Sequence, residues 1–365
     1  MRSYFAIRKG ESMAKLNSDD FINIYDYADE DYPFQIFIGG RGVGKTYSAL
    51  SGAVEGECTN KFLFMRRTGN ELDILLDSDS GEGVNPFKPI NKDFGRNIGM
   101  RKIVKNMAGI YEREAEPETG KLIHVGAPLG YGVALSTLSS IRGVDFSDCT
   151  DWIYDEFIPE KHVRKIHGEC DALLNAYETV NRNREFSGEP PIRLWLLANS
   201  NDIYNPIFVG LGIVSDAEKM LRQGKVHRYL KERGLAIHIL PPKESFKEKK
   251  SQTALYKLTK GTSFYDMSLG NQFAYNDFSL IGYRKLVGYT PVCSIDNAFV
   301  YRKKGDNEYY ISYAPARCPA FKTAEAQDVI RFRQQFGCML QPYFVAGRLY
   351  FESYELKEKI LNLIL

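Results

Sequence analysis

The 365-residue sequence predicts an α/β protein, with a large unit on a mostly parallel central sheet and a smaller C-terminal α/β unit. Three stretches carry that expectation. Residues 34–46, FQIFIGGRGVGKT, form an apolar β-prone run that breaks into four glycines within six positions and ends in Lys45-Thr46. Residues 151–157, DWIYDEF, form a short apolar run closing on two carboxylates. Residues 193–198, RLWLLA, form a third such run, leading into Asn199-Ser200-Asn201.

Length allows two domains. Apolar content of 44% with 26% charged residues is that of an ordinary globular chain, and no apolar run is long enough to cross a bilayer. The N-terminus, MRSYFAIRKGESMAKLNSDD, lacks an apolar signal segment, so the expected location is the cytoplasm, with no membrane partner. Six cysteines without any C-x-x-C pair argue against a zinc site or a disulfide framework. His162, His167 and Cys170 cluster in sequence but lack a fourth ligand, and read as a polar helix surface. A net charge of +2 announces no nucleic-acid partner by itself. Distribution matters more: residues 243–260 hold six lysines against two glutamates, directly after Pro241-Pro242. The expected division is therefore residues 1–242, a basic linker at 243–280, and a C-terminal domain at 281–365.

Gly39-x-x-x-x-Gly44-Lys45-Thr46 is the pattern of a phosphate-binding P-loop, and its context of preceding strand and following helix (YSALSGAVEG) is the required one. Glycines let backbone N–H groups converge on phosphates, and the helix N-terminus adds partial positive charge. Gly39, Gly40, Arg41, Gly42, Val43, Gly44, Lys45 and Thr46 are thus the candidate ATP-binding loop. Lys45 neutralises phosphate oxygens and Thr46 holds Mg²⁺ in this pattern.

The second run supplies the partner acid. Asp155 is the candidate Walker-B ligand in the Mg²⁺ shell, and Glu156 is placed to polarise an attacking water. That pair marks a P-loop NTPase of the ASCE branch, which hydrolyses ATP to do work. In that branch the strand after Walker B lies between the Walker-A and Walker-B strands, so Asn199 is a candidate γ-phosphate sensor; a turn or helix cap is the other use of such an Asn. Between these runs, YETVNRNRE places Arg182 and Arg184 at a helix end. Arg182 suits a finger acting on a neighbour's nucleotide, or an ion pair with Glu178. Arg41 is a candidate acting in cis, and Arg66-Arg67, after KFLFM, suit phosphate or DNA.

Taken together, IGGRGVGKTYSAL, KFLFMRRTGNEL, WIYDEFIPEK, ALLNAYETVNRNRE, LLANSNDIYNPIF and YDMSLGNQF resemble, in content and order, the DNA-encapsidation ATPases of small short-tailed phages. These are the Picovirinae type, relatives of terminase large subunits. The resemblance runs from Gly39 to Phe273. It implies an ATP- and Mg²⁺-dependent motor at the portal vertex of a procapsid, pumping double-stranded DNA inward. It also implies a homo-oligomeric ring, a pentamer by resemblance, with a packaging RNA as a further candidate partner, in the host cytoplasm. Lys45, Thr46, Asp155 and Glu156 match the Walker pairs, and Arg182 matches the trans-acting finger. Asn199 matches the Ser-Asn region after the third strand. The C-terminal unit is expected to resemble a vestigial RNase H-like nuclease fold without cleavage, Asp296 being the best-placed carboxylate.

A motor that slides must grip phosphates rather than read bases. Candidate grips are Lys102, Lys105 and Lys121 on an expected hairpin turning at Pro-Glu-Thr-Gly, and Lys247, Lys249 and Lys250 of the basic segment. At the C-terminus, two strands joined at Lys-Gly-Asp and a helix over TAEAQDVIRFRQQF are expected. Another nucleic-acid-translocating ATPase, such as a helicase or conjugation-type pump, shares every ATPase feature. A nuclease with an accessory ATPase and a nucleotide-gated scaffold are the remaining alternatives.

Overall fold

A computed structural model describes residues 20–55, 60–77, 84–141, 143–160, 163, 166–270 and 276–365. His162 and Cys58 lie outside them. The chain divides into two compact units, Met1–Leu211 with Met220–Tyr275 and Gly212–Lys219 with Asn276–Leu365.

In chain order the elements up to residue 270 are β1 (Phe34–Gly39), α1 (Lys45–Glu55), β2 (Lys61–Arg66), α2 (Gly69–Asp73), α3 (Lys88–Phe94), β3 (Ile98–Val104), β4 (Met107–Ala115), β5 (Leu122–Ala134) and β6 (Cys149–Asp155). There follow α4 (Glu169–Asn181), β7 (Arg193–Asn199), α5 (Pro206–Leu211), α6 (Val214–Gln223), β8 (His227–Leu230), β9 (Leu235–Leu240), α7 (Glu244–Ser251), α8 (Ala254–Leu258) and α9 (Ser263–Gly270). The nine strands form one sheet in the order β3-β4-β5-β2-β6-β7-β1-β9-β8. From β5 to β9 every neighbouring pair is parallel, and antiparallel strands sit at both edges.

Burial explains why the middle is parallel. All six residues of β9 are buried, as are five of six in β1 and six of seven in β6, which suits strands covered on both faces. Stacked rings fill the centre: Phe37 lies on Trp195 at 5.6 Å and on His238 at 4.7 Å between centroids. Asp151, the third residue of β6, is a buried acid satisfied by Arg193 at 2.7 Å and by the Trp195 indole N–H at 3.1 Å. Helix α1 packs by small residues; a Cβ at Gly52 would meet the Tyr25 ring at 2.2 Å, so only glycine fits that approach.

The topology puts the P-loop at a crossover. β7 pairs with β1 on one side and with β6 on the other, as expected for the strand after Walker B. Gly39 is in register with Asn199, and Asp155 with Leu197, so the three strand ends open onto one crevice. The expected hairpin is β4 and β5, with Gly120 in a left-handed turn conformation.

Residues 243–270, expected as a separate basic linker, lie in the first unit as α7, α8 and α9. Their aromatic residues are the reason. Phe246 and Tyr256, alternating with the lysines, are buried in the same core as Val43 and Leu50 of the P-loop and α1.

The second unit carries β10 (Tyr289–Ile295), β11 (Ala298–Lys303), β12 (Tyr309–Ser312), β13 (Ala320–Phe321), α10 (Ala326–Phe332), α11 (Cys338–Val345), β14 (Leu349–Phe351) and α12 (Tyr354–Ile364). Its five-stranded mixed sheet runs β13-β10-β11-β12-β14. Where two strands were expected there are three. A two-residue turn at Asp296-Asn297 separates β10 from β11, with Asp296 at φ 49°. The turn at residues 304–307, containing the expected Lys-Gly-Asp, joins β11 to β12.

Candidate active site

The P-loop leaves β1 with Gly42 at φ 74° and Gly44 at φ 109°, both in the left-handed range that side chains disfavour. Space is equally restricted. A Cβ at Gly40 would stand 2.6 Å from the Ser268 carbonyl oxygen, and one at Gly44 would stand 2.8 Å from that of Ile22. The loop lines a cleft of about 710 Å³ with Phe21, Asp93, Asp155, Glu156, Ala198 and Asn199.

Lys45 is buried at the base of this cleft, and its Nζ donates to the carbonyl oxygens of Gly39 (2.9 Å) and Gly40 (2.8 Å) and to Asn199 Oδ1 (3.3 Å). Burial lowers its pKa to about 8, although Asp155 and Glu156 act in the opposite direction. Thr46 Oγ1 donates to Asp155 Oδ1 at 2.9 Å. Asp155 is 5% exposed, and burial raises its pKa against the opposing pull of Arg66. A hydroxyl and a carboxylate side by side are the hard oxygen donors from which Mg²⁺ takes one or two ligands, leaving the rest to water and phosphate. The donor set therefore fits Mg²⁺.

Glu156 follows at φ 56°, a left-handed conformation for a residue with a side chain, and its carboxylate is about half exposed at the cleft. Arg66, closing β2, donates through Nη1 to Asp155 Oδ2 at 2.9 Å and pairs through Nη2 with Glu156 Oε2. Its guanidinium therefore spans both acids. Burial works against that charge, but the two carboxylates outweigh it and raise the pKa. Arg67 turns the other way, bidentate to buried Glu169 at 2.7 and 3.0 Å, and Tyr154 donates its hydroxyl to the same carboxylate at 3.1 Å. Arg41 pairs with Glu160.

Arg182 lies elsewhere. It caps α4 at φ 48°, donates to the Val144 carbonyl at 3.2 Å and approaches Asp145 at 3.5 Å, all before the start of β6. Asp155 ends β6, so a strand length of about 20 Å separates Arg182 from its own cleft.

The six candidate lysines do not form one patch. Lys102 on β3 and Lys105 in the β3–β4 turn lie off the expected β4–β5 hairpin, while Lys121 lies at the other end of β4, about 30 Å away by strand rise. Lys247 pairs with Glu244 at 2.6 Å and Lys249 with Asp20 at 2.5 Å. Lys250 reaches the P-loop instead: a Cβ at Gly42 would lie 3.0 Å from its Nζ.

Two participants escaped sequence reasoning in their roles. Arg66, which the sequence suits to phosphate or DNA, instead holds the carboxylates of Asp155 and Glu156. The missing signal was pairing: β2 lies parallel to β6, with Met65 opposite Tyr154, which brings the two strand ends together. Tyr47 donates to Asp93 Oδ2 at 2.7 Å across the cleft wall, a pair without sequence signature.

The family model for the Podovirus DNA encapsidation protein (Gp16) matches residues 113–300, more than half of the chain. The chain belongs to this family. The matched stretch contains Asp155, Glu156, Arg182 and Asn199 and begins after the P-loop. Among curated proteins similar to this chain, the DNA packaging protein of Bacillus phage B103 is 28% identical over 242 residues, 65% of this chain and 63% of that protein. The DNA packaging protein of Bacillus phage phi29 is 26% identical over 257 residues, 69% and 66% respectively. Both matches span slightly less than two thirds of those relatives. A chain of the solved bacteriophage Phi-29 viral genome packaging motor assembly aligns with a TM-score of 0.62 at 21% identity, covering 94% of this chain and 99% of that one. The Phi-28 gp11 DNA packaging motor gives 0.58 at 21% identity, covering 95% and 98%. These two structures share the fold.

Proposed function

We propose that this chain is an ATP-hydrolysing motor that drives double-stranded viral DNA through a portal into a preformed procapsid, working as a ring of identical copies. The observation that carries the proposal is the convergence of Lys45, Thr46, Asp155 and Glu156 on one cleft in a member of the DNA encapsidation family. Similarity to proteins named for DNA packaging supports the choice of DNA as the moved polymer.

In this proposal the loop N–H groups and Lys45 bind the phosphate chain, Lys45 exchanging its contacts to Gly39 and Gly40 for phosphate oxygens. Thr46 and Asp155 hold Mg²⁺, which supplies charge neutralisation of the phosphates. Glu156 accepts a proton from the attacking water, for which its carboxylate must turn from Arg66 toward the cleft. Asn199, hydrogen-bonded to Lys45, is placed to register the terminal phosphate. Arg182, remote from its own cleft, serves a neighbouring copy, so hydrolysis alters the contact between copies. DNA affinity must then differ between nucleotide states, because equal affinity shifts no equilibrium.

The domain assignment belongs to the same proposal: an ATPase up to residue 242, a segment at 243–280 that works with it, and a C-terminal unit derived from a nuclease fold without its chemistry. Supporting that last point, Asp296 is engaged by the Thr323 backbone N–H at 2.9 Å and by Lys359 at 2.9 Å, while Glu308 is held by Arg284 and Asp328 by Arg331. The portal and a packaging RNA are the remaining proposed partners.

Steady-state ATP hydrolysis with and without duplex DNA, in wild type and Glu156→Gln, is the test. Stimulation by duplex that vanishes in Glu156→Gln, with ATP binding retained, is expected. Hydrolysis indifferent to duplex removes the coupling to DNA.

A further inference from the structure

Given the nucleotide cleft proposed above, on which this step rests, we infer that Lys250 is a phosphate-binding residue of that cleft, contacting the phosphate chain of a nucleoside triphosphate from α7. Its ammonium lies over the loop glycine at φ 74°, 3.0 Å from where a Cβ on Gly42 would stand. It is held there from below. Nζ is 5.2 Å from the Phe246 ring centroid and 5.5 Å from that of Tyr256, and both rings are anchored in the core that contains Val43 and Leu50.

The surrounding chain fixes α7 against the loop. Lys249 is tied to Asp20, the next residue Phe21 packs edge-on against Phe246 at 5.9 Å, and the Ile22 N–H donates to the Val43 carbonyl at 2.7 Å. Phe21 itself lines the cleft. From α9, the Ser268 carbonyl closes over Gly40. Segments on both sides of Lys250 therefore touch the loop directly.

Charge separates Lys250 from its neighbours. Lys247 and Lys249 have carboxylate partners, whereas Lys250 has none among the described residues and rests on two aromatic faces. A cation–π contact with two rings is weaker than a charge-assisted hydrogen bond to phosphate. An incoming polyphosphate on the loop would thus draw the ammonium from the rings by a short movement. A DNA backbone would have to enter the same crevice to use it.

The test uses the full chain and four proteins: wild type, Lys250→Met, which keeps the stem between the rings, Lys250→Arg, and Lys45→Ala. ATP and ADP affinities in Mg²⁺ are measured by calorimetry, and nucleotide-free binding to a labelled duplex by anisotropy. Lys250→Met is expected to weaken ATP roughly tenfold or more, Lys250→Arg to recover most of that loss, and duplex affinity to stay within about twofold of wild type. If Lys45→Ala loses ATP while Lys250→Met binds it as wild type does, the role of Lys250 is overturned and the cleft stands. A fall in duplex affinity alone assigns the residue to DNA and equally overturns it. A wild-type protein that binds neither nucleotide removes the cleft and this residue's role together.

Discussion

Lys45 combines two properties that make its protonation measurable through binding. It is buried, with a pKa lowered to about 8, and its ammonium faces the space proposed for phosphates. The free protein therefore loses this charge as pH rises through 8, whereas a bound polyphosphate holds the proton on. Binding takes up a proton above pH 8, and ATP affinity should fall by about tenfold per pH unit from there until the pKa of the complex is reached. Below pH 8 this contribution is flat. Calorimetric titrations across pH 7–10, in buffers of differing ionisation enthalpy, would show the proton uptake; affinity independent of pH over that range would contradict it. A Lys45→Arg variant that still binds should lose the slope, because guanidinium does not titrate there. That Lys45, Thr46, Asp155 and Glu156 meet at one cleft was legible because each sits at a fixed offset from an apolar strand. Arg66, the counter-ion of Asp155 and Glu156, was legible as a charge but not in its direction, which depends on which strands lie side by side.

At the scale of elements, the end of β2 is joined to the start of α4 by an ion pair out of reach of water. Arg67 is 2% exposed and Glu169 1%, and two hydrogen bonds link them. Removing the cation would leave a buried carboxylate that keeps, among the described residues, the Tyr154 hydroxyl as its side-chain partner. Arg67→Ala should cost about 3–5 kcal/mol of stability, and Glu169→Gln added to it should return part of that loss by removing the orphaned charge. Urea denaturation of the single and double variants would show this; a single variant within 1 kcal/mol of wild type would sink the claim. The major elements were readable where periodicity and turn chemistry agree, as in β1, β6, β7 and the β4–β5 hairpin. They were misread where charge masked packing. Six lysines suggested a linker at 243–260, but Phe246 and Tyr256 bury that segment against the P-loop core. In β10 and β11 the turn is only the two polar residues Asp296-Asn297, too short an interruption to separate the apolar runs on either side.

At the scale of the whole molecule, the position of Arg182 decides whether one chain suffices. Held by Val144 and Asp145, which precede β6, it stands a strand length, about 20 Å, from the cleft of its own chain. If Arg182 serves a neighbouring copy as proposed, mixtures of Arg182→Ala and Lys45→Ala chains should recover ATPase activity that neither has alone, peaking near equal proportions, because some interfaces would then join an intact cleft to an intact Arg182. No recovery at any ratio would remove the trans assignment. The backbone conformation of Glu156 has a consequence for any laboratory evolution of this protein. A left-handed φ of 56° costs a residue with a Cβ roughly 1–2 kcal/mol, a strain that glycine would not bear. Selection for heat resistance alone would favour Glu156→Gly, so the hardiest variants in such a library should be enriched in proteins that have discarded the proposed base.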